Sequence, residues 1–165
     1  MLVYHPAFDI YHGFFRAVLL LENTPTKSMP ADTLRIVDLY FMFPYLLHHL
    51  DFPRGAGSKG RKLAGDRSKF NTLPSPKLFL EQTKGLHMLV VAGLEGHGFI
   101  SSEALKVAVV QRTEKSVPLE IIKSATAKDI ELASYLGNSI ATIPIFGKRG
   151  LKERSKLMEF RYDPA

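Results

Sequence analysis

The 165 residues, 45% of them apolar and none of them cysteine, carry a formal net charge of +6. That much apolar material supports one full core, expected as a single domain over 1–165. The lack of cysteine excludes disulfide frameworks, thiolate nucleophiles and cysteine zinc sites, and agrees with a reducing cytoplasm, the location expected here.

The charge is unevenly placed. Over 54–69 six basic residues, Arg54, Lys59, Arg61, Lys62, Arg67 and Lys69, stand against Asp66 alone, and over 148–156 five stand against Glu153 alone. Both stretches suit phosphates or an acidic partner. The remainder of the chain is net acidic.

Residues 1–53 read as helices. After an extended lead-in through Pro6, Phe8, Tyr11, Phe15, Val18 and Glu22 mark one edge of a helix that Phe14, Leu19, Leu20 and Leu21 make apolar nearly all round. Such a helix is either central to the core or laid against another chain. Its most apolar run, Phe14–Leu21, is about a third of a membrane span and contains Arg16, so neither a signal peptide nor a membrane helix is expected. Pro30 and Asp32 open a second helix through Leu34, Val37 and Phe41. Pro44 breaks it at Phe43, and a third piece covers Tyr45–Leu50. Asp38, among apolar neighbours, reads as a carboxylate satisfied by a cap or by an arginine such as Arg35.

Residues 54–75 are glycine-rich, serine-rich and basic, and are expected to be a long irregular loop. Residues 76–112 read as the organising stretch, a helix followed by a β-hairpin. Leu78, Phe79, Gln82, Leu86, Leu89, Val90 and Gly93 give the helical stripe, with Gly93 and Gly96 ending it. Leu105, Val107 and Val109 alternate with Lys106 and Ala108 as in a strand, paired across Ser102 and Glu103 with a short strand at His97–Ser101. The fold expected is therefore α+β, mainly α: a winged-helix domain with a β-hairpin wing and an appended C-terminal helix and tail over 113–165. In that last part Thr126 and Asp129 have capping-box spacing before a helix ended by Gly137 and Asn138. The final residues mix charges with Leu151, Leu157, Met158, Phe160 and Tyr162, as a docked tail does.

No chemical motif survives inspection. In GAGSKGRK, at 55–62, Gly60 is followed by Arg61 and Lys62, with no hydroxyl to hold magnesium, so it is not a phosphate-binding P-loop. GLEGHG, at 93–98, reverses the order of the dinucleotide fingerprint. The six histidines, His5, His12, His48, His49, His87 and His97, show no metal-site spacing, and His87 reads as a satisfied imidazole. No catalytic residue, metal or cofactor is expected, and the chain is not expected to be an enzyme.

The segments YHPAFDIYHGFFRAVLLL, LRIVDLYFMFPYLL and GLKERSKLMEFRYDPA together resemble the middle components of bacterial ABC-three-component systems, of which the Lamassu anti-phage systems are one setting. The resemblance implies a small winged-helix adaptor that binds an SMC-like or Rad50-like ATPase and holds or licenses an effector, often a nuclease, in a hetero-oligomer. The surfaces expected to meet these partners are Phe8, Tyr11, Phe14 and Phe15 on the first helix and Leu151, Lys152, Arg154, Phe160, Arg161 and Tyr162 in the tail. The alternative is a winged-helix DNA-binding transcriptional regulator. Its recognition helix would offer Glu81, Gln82, Lys84 and His87, a poor base reader, so non-specific DNA contact through the basic stretches is the form expected.

Overall fold

Asp9 opens the first helix. Its carboxylate accepts the N–H groups of Tyr11 (2.7 Å) and His12 (3.3 Å), which the first turn leaves without helical partners, and α1 runs over Ile10–Glu22. In the computed structural model, which describes residues 6–66 and 72–163, a 3-10 turn at Pro6–Phe8 leads into it. Strand β1 (Ser28–Pro30) then feeds α2 (Ala31–Met42), which starts after Pro30 as expected. Pro44 ends the helical run at Phe43, and a 3-10 helix follows over Pro44–His49.

Helix α2 is the centre of the core, with Leu34, Ile36, Val37 and Leu39 fully buried. This corrects the expectation that 76–112 organises the fold. That stretch buries Leu80, Val90 and Leu94, but leaves Leu78, Met88 and Leu89 exposed. It is divided at Thr83 into α4 (Pro76–Gln82) and α5 (Lys84–Gly96), the Thr83 hydroxyl donating back to the Phe79 carbonyl at 2.9 Å. Helix α5 crosses α1 through two glycines. A Cβ on Gly13 would lie 2.5 Å from Val90 Cγ2, and one on Gly93 would lie 2.5 Å from Phe14 Cζ, so each helix receives a side chain of the other.

The expected loop over 54–75 contains a helix, α3 (Gly57–Ala64). A glycine at its first position and another, Gly60, in its interior disfavour it by propensity, and tertiary packing compensates. Gly60 is buried against the Phe52 ring and the Tyr135 hydroxyl, with no room for a Cβ. The same hydroxyl donates to the Ala56 carbonyl at 2.9 Å, just before the helix. Arg67 and Lys69 lie outside the described residues.

The β-structure departs from the expected hairpin. Ser102–Leu105 is a helical turn, α6, capped by the Ser101 hydroxyl, and the strand β2 is confined to Val109–Gln111. The alternation over 104–109 therefore did not mark a strand, because a serine cap with Glu103 in the first turn favours helix locally. Strand β2 pairs antiparallel with β1, Met29 opposite Val110. On its other edge an antiparallel bridge joins Ile100 to Arg112, with Ser101 N–H bonded to Gln111 O and Thr113 N–H to Phe99 O. Arg112 locks the arrangement. Its buried guanidinium donates to Glu22 Oε1 (2.7 Å), the Phe99 carbonyl (2.5 Å) and the Lys115 carbonyl (2.7 Å). Burial raises the Glu22 carboxyl, but the bonds from Arg112 and Lys27 outweigh it and hold it below the ordinary value.

Helix α7 (Leu119–Ser124) precedes α8 (Ala127–Tyr135), which opens with the expected capping box of Thr126 and Asp129. Gly137 does not stop the chain there. The helix widens into a π turn over Leu136–Ile140, and Gly137 lies so close to Asn23 that a Cβ would strike its carbonyl. Helix α9 (Leu151–Ser155) and the residues after it close the core with Leu151, Leu157 and Met158. The tail is docked, as expected. Among the described residues no helix is long and apolar enough to cross a membrane.

Candidate functional site

Helix α1 is pinned on one side and open on the other. Arg16 on its inner face bonds to Asp38 of α2, Gly13 receives Val90 and Gly93 receives the tip of Phe14, which leaves Tyr11 and Phe15, with one side of Phe14, along the open edge. These three line a cleft of about 850 Å³ between α1, the end of α2 and the α7–α8 corner. Phe41 and Met42 close one wall and Ile121 the other. Phe14 is held edge-on to Tyr11, ring centroids 6.4 Å apart at 77°. Tyr11 itself is 76% exposed, and Leu119 (63%) and Ile122 (53%) extend apolar surface along α7. Exposed apolar groupings of this kind are common where proteins meet a partner.

The mouth of this cleft carries Asp9, Glu120 and Asp129, with His12 beside them. Two of the carboxylates already serve structure, Asp9 capping α1 and Asp129 completing the box at α8. The groove can therefore receive apolar side chains within an acidic rim. Among the described residues no group of three or more His, Cys, Asp or Glu side chains is placed to hold a metal ion.

A second polar cluster lies inside. Arg16, Arg35, Asp38, Thr83 and His87 surround a cavity of about 30 Å³, roomy enough for water and too small for a metabolite. Asp38 is satisfied by an arginine, as expected, but by Arg16 at 2.6 Å and not by Arg35. Arg35 instead turns to the Leu80 carbonyl (2.8 Å) and Asp32 (3.5 Å). His87 is not the satisfied imidazole expected from the sequence: its Nε2 is buried without a partner. Burial, opposed by the nearby Asp38 charge, pushes its pKa down to about 4.

The other expected contact residues are dispersed. Phe8 is exposed at one end of α1, its ring 5.8 Å from Phe79. Leu151 and Lys152 are corrected: both are buried within the chain's own interior, Leu151 in the core and Lys152 between Asp32 and Asp163 at 3.5 Å each. A five-residue helix this short is held by burying its first residues, which removes them from any outer face. Arg154 bonds to the Asp51 and Arg149 carbonyls, Phe160 is half-buried, and Arg161 and Tyr162 are exposed. Arg54, Lys59, Arg61 and Lys62 are all exposed, the last three on α3 and not on a flexible loop. Sequence reasoning passed over Phe41, Met42, Leu119, Ile121 and Ile122. The available signal was LEII at 119–122, whose apolar residues exceed what one buried face of a six-residue helix needs.

Fold and site define a small, mainly helical α+β protein with a solvent-open apolar groove, of the class suited to assembly with other chains. A family model, ABC-three component (ABC-3C) system Middle Component 5, matches residues 2–163, and the chain belongs to this family. It is one component of a multi-component system, as the resemblance of its opening, middle and closing segments implied. No curated protein matches the chain, and no solved structure does.

Proposed function

We propose that the chain is a non-catalytic adaptor that binds an SMC-like or Rad50-like ATPase and couples it to an effector, such as a nuclease, in cytoplasmic anti-phage defence. The observation that carries this reading is the groove along α1. A middle component must hold other chains, and the groove offers aromatic anchors in a concave, solvent-open setting, where binding energy concentrates in interfaces.

The order α1, β1, α2, α4–α5 and then two segments paired beside β1 supports a winged-helix reading in which α6 occupies the tip of the wing. The same arrangement weighs against the regulator. The helix that would read bases exposes Met88 (62%) and Leu89 (59%), which cannot discriminate base edges by hydrogen bonding.

The test is co-expression of the tagged chain with the neighbouring reading frames of its locus, followed by capture and mass spectrometry. Stoichiometric recovery of an ATPase with long coiled coils is expected, lost when Phe15→Glu and Tyr11→Ala are introduced together. Recovery of the folded chain alone would overturn the adaptor reading.

A further inference from the structure

The second basic stretch, far away in sequence, folds onto Asp51, three residues before the first begins. Arg154 Nη1 donates to the Asp51 carbonyl at 2.9 Å across 103 positions, and lies 3.4 Å from its carboxylate. Arg149 Nη2 is 3.6 Å from the same carboxylate, and the Asp51 N–H bonds to the Arg154 carbonyl at 3.2 Å. Arg54 stands three positions further on, no more than about 11 Å away along the chain. From there α3 begins. Its buried residues are Gly60 and Ala64, with Gly60 pressed against Phe52 and Tyr135, so the helix turns Lys59 and Lys62 outward, where both are exposed.

One carboxylate is thus shared by two arginines, while Arg54, Lys59, Lys62 and Lys148 make no ion pair among the described residues. Tertiary packing has brought Arg149 and Arg154 of one charge excess beside the segment that leads into the other.

We propose that this face binds the phosphate backbone of duplex DNA without reading its sequence. Three observations select that partner. No large apolar residue of 47–66 is exposed and Phe146 is the one exposed ring beside 148–156, so cations outweigh apolar area here, unlike the apolar centre of a protein interface. The nearby rings each already hold a cation against one face, Phe52 that of Arg61 at 5.5 Å and Phe146 that of Lys152 at 4.8 Å, which leaves less ring surface for the base stacking that single strands use. Residues 48–66 contain no asparagine or glutamine to read adenine, and the lysines act as point charges towards phosphates. The groove on α1 lies towards the other end of α8, whose Asp129 borders the cleft and whose Tyr135 packs on α3. Protein and DNA therefore meet separate surfaces.

The experiment is fluorescence anisotropy of the intact chain with a labelled 20-base-pair duplex of scrambled sequence, titrated from 50 to 200 mM NaCl. With about four phosphates neutralised, affinity falls roughly a hundredfold over that range, with a log–log slope near −3.6. Lys59→Gln with Lys62→Gln is expected to reduce the slope by about 2, and Lys148→Gln by about 1. Lys123→Gln with Lys128→Gln, the same charge change at the α7–α8 corner, leaves it unchanged. A second duplex of different sequence binds equally, and single strands or polyglutamate compete poorly. The proposal is overturned by absent binding at 50 mM salt, by an equal effect of the Lys123 and Lys128 pair, by dependence on only one basic stretch, or by stronger competition from polyglutamate or single strands. Thermal melts of each variant establish that it is folded, and the outcome is independent of the capture experiment on the groove.

Discussion

Arg16 Nε donates to Asp38 Oδ1 at 2.6 Å and Arg16 Nη2 to Asp38 Oδ2 at 3.2 Å, a two-pronged bond that ties α1 to α2 inside the molecule. Removing one partner strands the other charge in a poorly solvated place. Arg16→Ala or Asp38→Asn is expected to lower stability by about 3–5 kcal/mol, and Arg16→Met with Asp38→Leu to recover much of the loss. Urea denaturation checks this. Single variants within about 1 kcal/mol of wild type would mean that the pair is no more than an ordinary surface contact.

The crossing of α1 and α5 depends on Gly13, where a Cβ would meet Val90 Cγ2 at 2.5 Å. Gly13→Ala is expected to cost about 1–3 kcal/mol through overpacking, and Val90→Ala in the same chain to return part of it. Gly85, on α5 with open space around it, behaves oppositely. Gly85→Ala should stabilise by about 0.5–1 kcal/mol through helix propensity alone. A double-mutant cycle with no coupling between positions 13 and 90 would contradict the close crossing.

His87 gives the fold a pH dependence with a definite sign. Its pKa of about 4 in the folded chain is below the ordinary 6.5, and Asp38, Arg35, Asp32 and Arg16 are the charges around it. Between these values the unfolded chain binds more protons, so stability falls as pH drops from 6.5 towards 4. From pH 7 to pH 5.5 the loss is on the order of 1 kcal/mol. His87→Gln should flatten that part of the profile. The window lies above the range where Glu22, held below its ordinary value, protonates and weakens its bonds to Arg112. A variant as steep as wild type between pH 7 and 5.5 would remove His87 as the source.

Tyr11 separates binding from folding. Because it is 76% exposed, Tyr11→Ala should change stability by no more than about 0.5 kcal/mol. As an aromatic anchor at the groove it should weaken partner capture at least about tenfold. Calorimetric melting and titration with the purified partner measure the two quantities. A weak effect on capture would move the interface away from α1.

Several boundaries were legible because neighbouring residues settle them. Pro30 and Asp32 start α2, Pro44 stops it, and Thr126 with Asp129 caps α8. Each signal is a backbone constraint or a hydrogen bond completed within a few positions, so the chain need not be folded for it to be read. Apolar periodicity along α1 also exposed its double character, though it did not say which side faced out. The alternation over 104–109 misled, since a period of two across six residues is outweighed locally by the Ser101 cap that makes α6.

The sequence alone therefore determined where α2 and α8 begin and where α2 ends, the family, and the presence of two basic excesses beside a net acidic remainder. Only the tertiary structure decided that α2 is the centre, that a glycine-rich segment is helical because Gly60 fits under Phe52 and Tyr135, and that Asp38 belongs to Arg16. It also assembled the groove from α1, α2 and α7 and brought Arg149 and Arg154 to Asp51. The physical reason is common to all of these. Caps and prolines act through bonds between near neighbours, whereas burial, ion pairing and surface charge depend on which distant residues packing brings together.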